Sequence, residues 1–160
     1  MSGASRIKGN RFVNMVFSKS FGYAVRGLLY IAMITETTPK VHLEEIAERL
    51  GLPRHFLGKV MKKLVKEGII NSTKGPHGGF YLNDATLHTP LVKLIEITSE
   101  VDQFDSCVLH VRKCNSKNPC PLHFQIESLK NQWYQLVADT TVGELLKNDH
   151  PAFLKSIATP

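Results

Sequence analysis

The chain has 160 residues, of which 42% are hydrophobic and 21% are charged, as expected for one folded domain with a short appendage. The longest uncharged run of its most apolar stretch, residues 27–35, is far shorter than the ~20 residues of a membrane span. The net charge of +6 is uneven, because residues 1–80 carry 13 Lys and Arg against 5 Asp and Glu, whereas residues 81–160 carry 7 against 9. The first half can therefore face a polyanion, and the second half has no electrostatic reason to do so.

Three amphipathic helices are predicted before residue 70. Ser20 can cap the first helix, whose apolar residues repeat at helical spacing until about Thr35. The second helix is short and stops at Gly51, where a residue with positive φ is tolerated. Pro53 opens the third helix and Gly68 closes it. Two helices of this size joined by a glycine-containing turn are typical of a helix-turn-helix.

A β-hairpin is predicted directly after the third helix. Residues 69–73 and 80–82 have the composition of short strands. Between them, residues 74–79 are rich in glycine and basic side chains, and the glycines allow a tight turn close to another surface. A hairpin in this position is the wing of a winged-helix domain, which we assign to residues 15–99. Residues 1–14, which lack the apolar core of a secretory signal, are predicted to be a disordered extension.

The second half of the chain is predicted to contain a short helix after Pro90, a loop, a long helix and a final helical turn. The loop covers residues 100–120, which lack periodicity. The long helix runs from Pro121 to about Asp139, and the helical turn after Thr141 completes a segment that ends at residue 148. Residues 149–160 are predicted to be a loose tail.

The long helix carries a wide apolar stripe outside the compact winged-helix core. Such a stripe needs a second surface to cover it. We interpret it as a homodimer interface formed by Ile126, Leu129, Trp133 and Leu136. Packing against the first helix of the same chain is the alternative. The predicted fold is therefore mainly α with a small β-hairpin, a winged helix-turn-helix followed by a long C-terminal dimerisation helix.

Positive charge is concentrated in the third helix and the wing, with six Lys and Arg and one acidic residue in 53–79. Recognition helices read base edges from their N-terminal residues, here Arg54, His55, Gly58 and Lys59. Arg54 can contact guanine bidentately, whereas lysines hold phosphates. Side chains at the wing tip can reach an adjoining minor groove. The candidate DNA-binding residues are Ser18, Lys19, Arg54, His55, Lys59, Lys62, Lys63, Lys74 and His77.

All three cysteines, Cys107, Cys114 and Cys120, fall in the predicted loop, and His123 follows them. An odd number of cysteines argues against a closed disulfide framework, and without an export signal we expect the reducing cytoplasm. Cys120 lies at the mouth of the long helix, where the helix dipole favours the thiolate, and His123 is expected on the same face of its first turn. Three thiolates and an imidazole can complete a binuclear iron–sulfur cluster or close a tetrahedral zinc site. Spacing does not separate these two, and three unconnected cysteines are a third alternative.

Together these segments resemble the IscR/NsrR-type bacterial transcriptional regulators, the Rrf-two family. The resemblance covers residues 15–148 and is carried by the segments FSKSFGYAVRGLLYIA, EEIAERLGLPRHFLGKVMKKLVKEGII, STKGPHGGFYL and TTVGELL. It implies a cytoplasmic homodimer that binds double-stranded DNA at a palindromic promoter site, with a sensory cluster or a bare ligand pocket near the dimerisation helix.

The resemblance also suggests roles for single residues. In relatives that hold a redox-sensing [2Fe–2S] cluster, the ligands are three cysteines and a histidine separated from the third cysteine by two residues. The ligand set of this chain would be Cys107, Cys114, Cys120 and His123, with six residues in the first gap where the best-known members have five. Gly22 stands where nitric-oxide-sensing relatives have a cluster-binding aspartate, and Gly58 where the cluster regulator has a glutamate in its recognition helix.

Two other classes of function fit the sequence less well. The Asn118-Pro119-Cys120 segment beside a winged helix is similar to the Pro-Cys site of DNA alkyltransferases. Those enzymes place a histidine directly after the cysteine, where this chain has Pro121, so no enzyme is predicted. A winged helix used only for protein contacts is disfavoured by the basic face.

Overall fold

The computed structural model describes residues 17–99, 107, 109, 113, 115–147 and 157. Within these ranges the elements, in chain order, are α1 Lys19–Ile34, α2 Leu43–Leu50, α3 Arg54–Lys66, β1 Asn71–Thr73, β2 Gly79–Tyr81, α4 Leu91–Thr98, α5 His123–Asp139 and α6 Val142–Leu146. This order confirms the mainly helical fold with a two-stranded hairpin. None of the helices just named is long and apolar enough to cross a membrane. The predicted extension 1–14, most of loop 100–120 before residue 115, and the tail except Ile157 lie outside the described residues.

The first helix begins two residues earlier than its predicted cap implies. Ser18 is the N-cap, with extended backbone, and its Oγ accepts a hydrogen bond from the backbone N–H of Phe21 at 3.1 Å. Ser20 lies inside α1, so the cap predicted at Ser20 is wrong. Both serines have a suitable side chain, and the backbone that leads into the helix decides between them.

The core of the helix-turn-helix lies where α1, α2 and α3 meet. Its fully buried side chains include Leu28, Ile31, Ile46, Leu50, Leu57, Met61 and Leu64. Gly27 of α1 faces α3, and a Cβ atom built at Gly27 would lie 3.2 Å from Met61 Sδ. The missing side chain therefore lets α3 pack closely against α1.

The helix ends predicted at glycines are confirmed. Gly51 follows α2 in the left-handed conformation, with φ of 60°, and its N–H bonds to the carbonyl groups of Ala47 and Glu48. Gly68, with φ of 72°, follows the C-cap residue of α3. Left-handed glycines of this kind end a helix because they satisfy its last carbonyl groups and turn the chain away.

Val41, which lies two residues before α2, attaches the wing to the core. Strands β1 and β2 pair antiparallel, with Ser72 opposite Phe80. Val41 forms a further bridge to Phe80, with N–H···O distances of 2.9 and 2.8 Å, and Val41 is fully buried. Gly79 has φ of 135°, and a Cβ atom there would lie 2.7 Å from the carbonyl oxygen of Val41, so only glycine fits.

A second bridge connects the residue before α4 with the segment between α5 and α6. Pro90 pairs with Thr141, and the N–H of Leu91 donates to the carbonyl oxygen of Thr140 at 2.9 Å. Thr141 also starts α6 in a capping box with Glu144. The bridge therefore places the C-terminal end of α5 beside the start of α4.

Replacing Gly27 tests the α1–α3 contact. We expect Gly27→Leu to lower the free energy of unfolding by about 1–3 kcal/mol, because added atoms overpack this contact. Gly22→Leu in the same helix is the matched control, since no atom lies within 4 Å of a Cβ there. Replacing a helical glycine at that open site stabilises by up to about 1 kcal/mol. Urea denaturation followed by circular dichroism measures both changes, and equal effects would contradict the close packing at Gly27.

Candidate nucleic-acid interface and metal ligands

The exposed side of α3 carries most of the predicted recognition residues. Four apolar side chains spaced along α3 are buried, namely Leu57, Val60, Met61 and Leu64. The side chains that this burial leaves exposed include Arg54, His55, Lys59, Lys62 and Lys63. One amphipathic helix therefore brings five of the nine candidates together on the surface.

Arg54 forms an ion pair with Glu44, in the first turn of α2. Its guanidinium donates to a carboxylate oxygen of Glu44, and both side chains are more than half exposed, at 65% and 57%. An exposed pair of this kind contributes little to stability. The pKa of the Glu44 carboxyl lies below its ordinary value, mainly because of a backbone hydrogen bond and further because of the Arg54 charge. Glu44 therefore stays ionised and competes with any anion for Arg54, a role that the sequence analysis missed.

The structure places Gly58 differently from what the sequence predicts. Gly58 is buried, and a Cβ atom there would lie 3.0 Å from Leu43 Cδ2 of α2. Gly58 therefore supports the α2–α3 contact, and its interpretation as a base-reading position is wrong. Phe56 is 57% exposed, although the sequence analysis did not select it. Spacing gives no signal for this exposure, since Phe56 lies four residues before the buried Val60 and so fits the apolar repeat.

The wing tip lies beside the N-terminal end of α2. Residues 72–77 are exposed, and they include the candidates Lys74 and His77. His42, the N-cap residue of α2, has its Nε2 atom 3.2 Å from the carbonyl oxygen of Pro76. This contact joins the start of α2 to the tip of the wing, so these two parts of the domain are neighbours.

The two candidate DNA-binding residues at the start of α1 differ in exposure and in hydrogen bonding. Lys19 is exposed, whereas Ser18 is half-buried and its oxygen already accepts the capping hydrogen bond. The Ser18 hydroxyl can still donate its proton to a phosphate oxygen.

The predicted metal ligands are placed unequally. Cys107 is buried, Cys120 is half-buried, and Cys114 lies outside the described residues. His123, the first residue of α5, is 2% exposed, and its N–H donates to the carbonyl oxygen of Cys120 at 2.9 Å. Cys120 precedes the helix, whose N-cap is Leu122, so a turn connects the cysteine to His123. The prediction that the two side chains share the first helical turn is therefore corrected.

The donor set suits a soft metal centre, but the described residues do not assemble one. No three of the described Cys, His, Asp and Glu side chains lie close enough together to hold a metal ion. His123 is nevertheless nearly inaccessible, and its Nε2 atom lies 3.5 Å from Glu127 Oε2. Carboxylates near the imidazole of a ligating histidine are common, because they orient the ring. Thiolates and a buried imidazole therefore fit an iron–sulfur or zinc centre by chemistry.

The apolar stripe of α5 is only partly covered by its own chain. His123 and Val137 are the buried residues of this helix. Trp133 contacts Phe17, with 5.5 Å between ring centroids, and Ile126 is half-buried. Leu129 and Leu136 are 50% and 59% exposed. Packing within the chain therefore accounts for one edge of the stripe and leaves its leucines uncovered.

Comparisons with known proteins point to transcriptional regulators. A family model, Rrf2, described as an iron-dependent transcriptional regulator, matches residues 17–148. A protein of Aquifex aeolicus described as an HTH-type transcriptional regulator is 37% identical over 134 residues, which is 82% of this chain and 92% of that protein. The HTH-type transcriptional regulator IscR of Klebsiella pneumoniae is 31% identical over 129 residues, which is 79% of this chain and 76% of that protein.

Solved structures share the same fold at lower sequence identity. CymR, the global cysteine regulator of B. subtilis, aligns with a TM-score of 0.66 and 18% identity over 84% of this chain and 98% of that chain. IscR of T. potens aligns with a TM-score of 0.63 and 21% identity over 85% of this chain and 89% of that chain. These alignments confirm the predicted winged-helix architecture.

Proposed function

This chain belongs to the Rrf2 family of transcriptional regulators, and we propose that it binds promoter DNA under the control of an iron–sulfur cluster. Its relatives are regulators rather than enzymes, so the alkyltransferase alternative is withdrawn. The observation that carries the DNA-binding part is the exposed basic side of α3 beside an exposed wing. The cluster would be held by Cys107, Cys114, Cys120 and His123, and it would be of the [2Fe–2S] type.

In the proposed complex, the N-terminal turn of α3 enters the major groove and the wing reaches the adjoining backbone or minor groove. Arg54 must exchange Glu44 for a guanine edge, whereas Lys62 and Lys74 need only approach phosphates. In the proposed complex, Arg54 is therefore the residue that discriminates between the specific site and other DNA sequences.

We expect three alanine substitutions to divide affinity from specificity. Lys62→Ala and Lys74→Ala should each weaken binding to every DNA sequence. Each should also reduce the slope of log affinity against log salt concentration by about 1, because one counterion fewer is released. Arg54→Ala should also relax base preference, by ~1–3 kcal/mol for a lost bidentate contact. Fluorescence anisotropy on selected and random duplexes over a salt series measures both effects. Lys93→Ala, an exposed lysine of α4 paired with Glu96, is the matched control. Unchanged discrimination in Arg54→Ala would contradict the placement of the recognition helix.

We further propose that the stripe of α5, with Ile126, Leu129, Trp133 and Leu136, forms the interface of a homodimer. Two-fold symmetry of the protein would then match a palindromic site with one recognition helix for each half. The support is the exposure of Leu129 and Leu136 on a helix of 17 residues. Large apolar side chains left in water on one helix are typical of an association surface.

The dimer is tested by adding charge to the stripe. The double variant Leu129→Glu and Leu136→Glu should be monomeric at micromolar concentration, because dimerisation would bury unpaired carboxylates. Light scattering measures the mass, and circular dichroism checks that the fold is kept. Ser128→Glu and Asn131→Glu add the same charge at exposed polar positions of α5 and should leave the dimer intact. A wild-type protein that is monomeric in the same measurement would refute the proposed interface.

The proposed ligands link the winged helix to α5, since the loop that carries them leads from α4 into the first residue of α5. Ordering this loop can set the spacing of the two recognition helices. A coupling of only ~1.4 kcal/mol between the loop and the DNA-competent arrangement changes affinity tenfold. When bound, a cluster of this type supplies one-electron redox chemistry to the site.

Variants of the ligands separate an iron–sulfur cluster from zinc. Replacing any of the three cysteines by serine should abolish the visible absorption of anaerobically reconstituted protein. His123→Cys should keep a cluster with a lower reduction potential, since histidine ligation raises the potential, and His123→Ala should make it labile. His88→Ala, an exposed histidine of the turn before α4, is the control and should change nothing. Wild-type protein that binds zinc but no iron or sulfide would overturn the cluster and leave the DNA-binding proposal standing.

A further inference from the structure

Phe56 is an aromatic side chain in the first turn of α3, and it is exposed rather than buried in the core. Phe56 is 57% exposed, whereas the neighbouring Leu57 is fully buried. Cationic and polar groups surround it: the His55 ring lies edge-on at 5.8 Å between centroids, and Lys59 Nζ lies 5.9 Å from the ring centre. These two contacts leave more than half of Phe56 open to solvent and to a ligand.

The position of Phe56 matches the part of a recognition helix that reaches base edges. It is the third residue of α3, directly after Arg54 and His55. In the major groove, thymine presents a 5-methyl group, an apolar feature that aromatic side chains contact. We propose that Phe56 is a specificity-determining residue that packs against the 5-methyl group of a thymine. This inference rests on the proposed function, in which the N-terminal turn of α3 enters the major groove.

Charge complementarity favours DNA over an apolar protein partner at this position. Residues 53–79 hold six Lys and Arg and one acidic residue, and the basic side chains nearest to Phe56 are exposed. An apolar partner surface would have to desolvate these cations without compensation. A nucleic acid pairs them with phosphates and still offers the ring a methyl group. Lys59, three residues after Phe56 on the helix, can hold a phosphate while the ring faces the groove.

The contact has a measurable consequence in the DNA itself. Replacing a thymine by deoxyuridine removes the methyl group and keeps the base pair. Burial of one methyl-sized group changes binding by ~0.8 kcal/mol, which corresponds to about a fourfold change in affinity.

The experiment uses the full-length protein and the duplex that it selects from a random-sequence library. Each thymine of that duplex is replaced in turn by deoxyuridine, and dissociation constants are measured at one fixed salt concentration. We expect wild type to lose about fourfold at one thymine of each half-site. Phe56→Ala should bind the unmodified duplex at least fourfold more weakly and be insensitive to deoxyuridine at that same position. Tyr134→Ala, which removes a 48% exposed aromatic side chain from α5, is the matched control and should keep the wild-type pattern.

The outcomes separate this inference from the proposed function. If wild type enriches no sequence and binds all duplexes equally, the proposed function fails. If wild type binds its selected duplex specifically but no deoxyuridine effect disappears in Phe56→Ala, the thymine contact is overturned while the function stands. Phe56→Leu, which keeps an apolar side chain, should show an intermediate deoxyuridine effect. A Phe56→Leu variant that matches Phe56→Ala at every position would also count against an apolar contact.

Discussion

The close approach of α3 to α1 at Gly27 determines which surfaces this protein can present. Met61 Sδ occupies the space where a side chain of residue 27 would begin. Because α3 buries its apolar side chains against this contact, its remaining side chains must point away from the core. The position of α3 is therefore largely a consequence of packing between apolar groups.

The basic side of α3 works against the stability of the helix that carries it. Lys59 and Lys63 are four residues apart, and so are Lys62 and Lys66, so like charges are neighbours on the helix surface. Each such pair lowers the stability of the helix by about 0.2–0.5 kcal/mol. The buried stripe offsets this cost, and phosphates can remove it altogether. Arg54 differs from these lysines, since its guanidinium already donates to the Glu44 carboxylate. A phosphate or a base edge would have to replace that carboxylate.

Sequence reasoning located the elements well because apolar spacing and glycine placement are local signals. The short helix predicted after Pro90 is present as α4, in which Leu91, Leu94, Ile95 and Thr98 are buried at helical spacing. The same reasoning failed where two elements meet. Burial of Gly58 depends on the angle at which α2 crosses α3, and the Arg54–Glu44 pair joins residues ten apart through a turn. The sequence also indicated donor types for a metal centre, but the distances between the side chains depend on a loop without periodicity.

The attachment of the wing divides it into two parts of very different stability. Val41 and Phe80 are bonded next to the core, so their amide groups can open only when much of the domain unfolds. Beyond the Thr73–Gly79 pair, residues 74–77 are exposed and bury little apolar surface, so the tip can open at a lower free energy. The width of a minor groove varies with base sequence. In the proposed complex with DNA, a tip that opens by itself can adjust to grooves of different width while α3 stays in register.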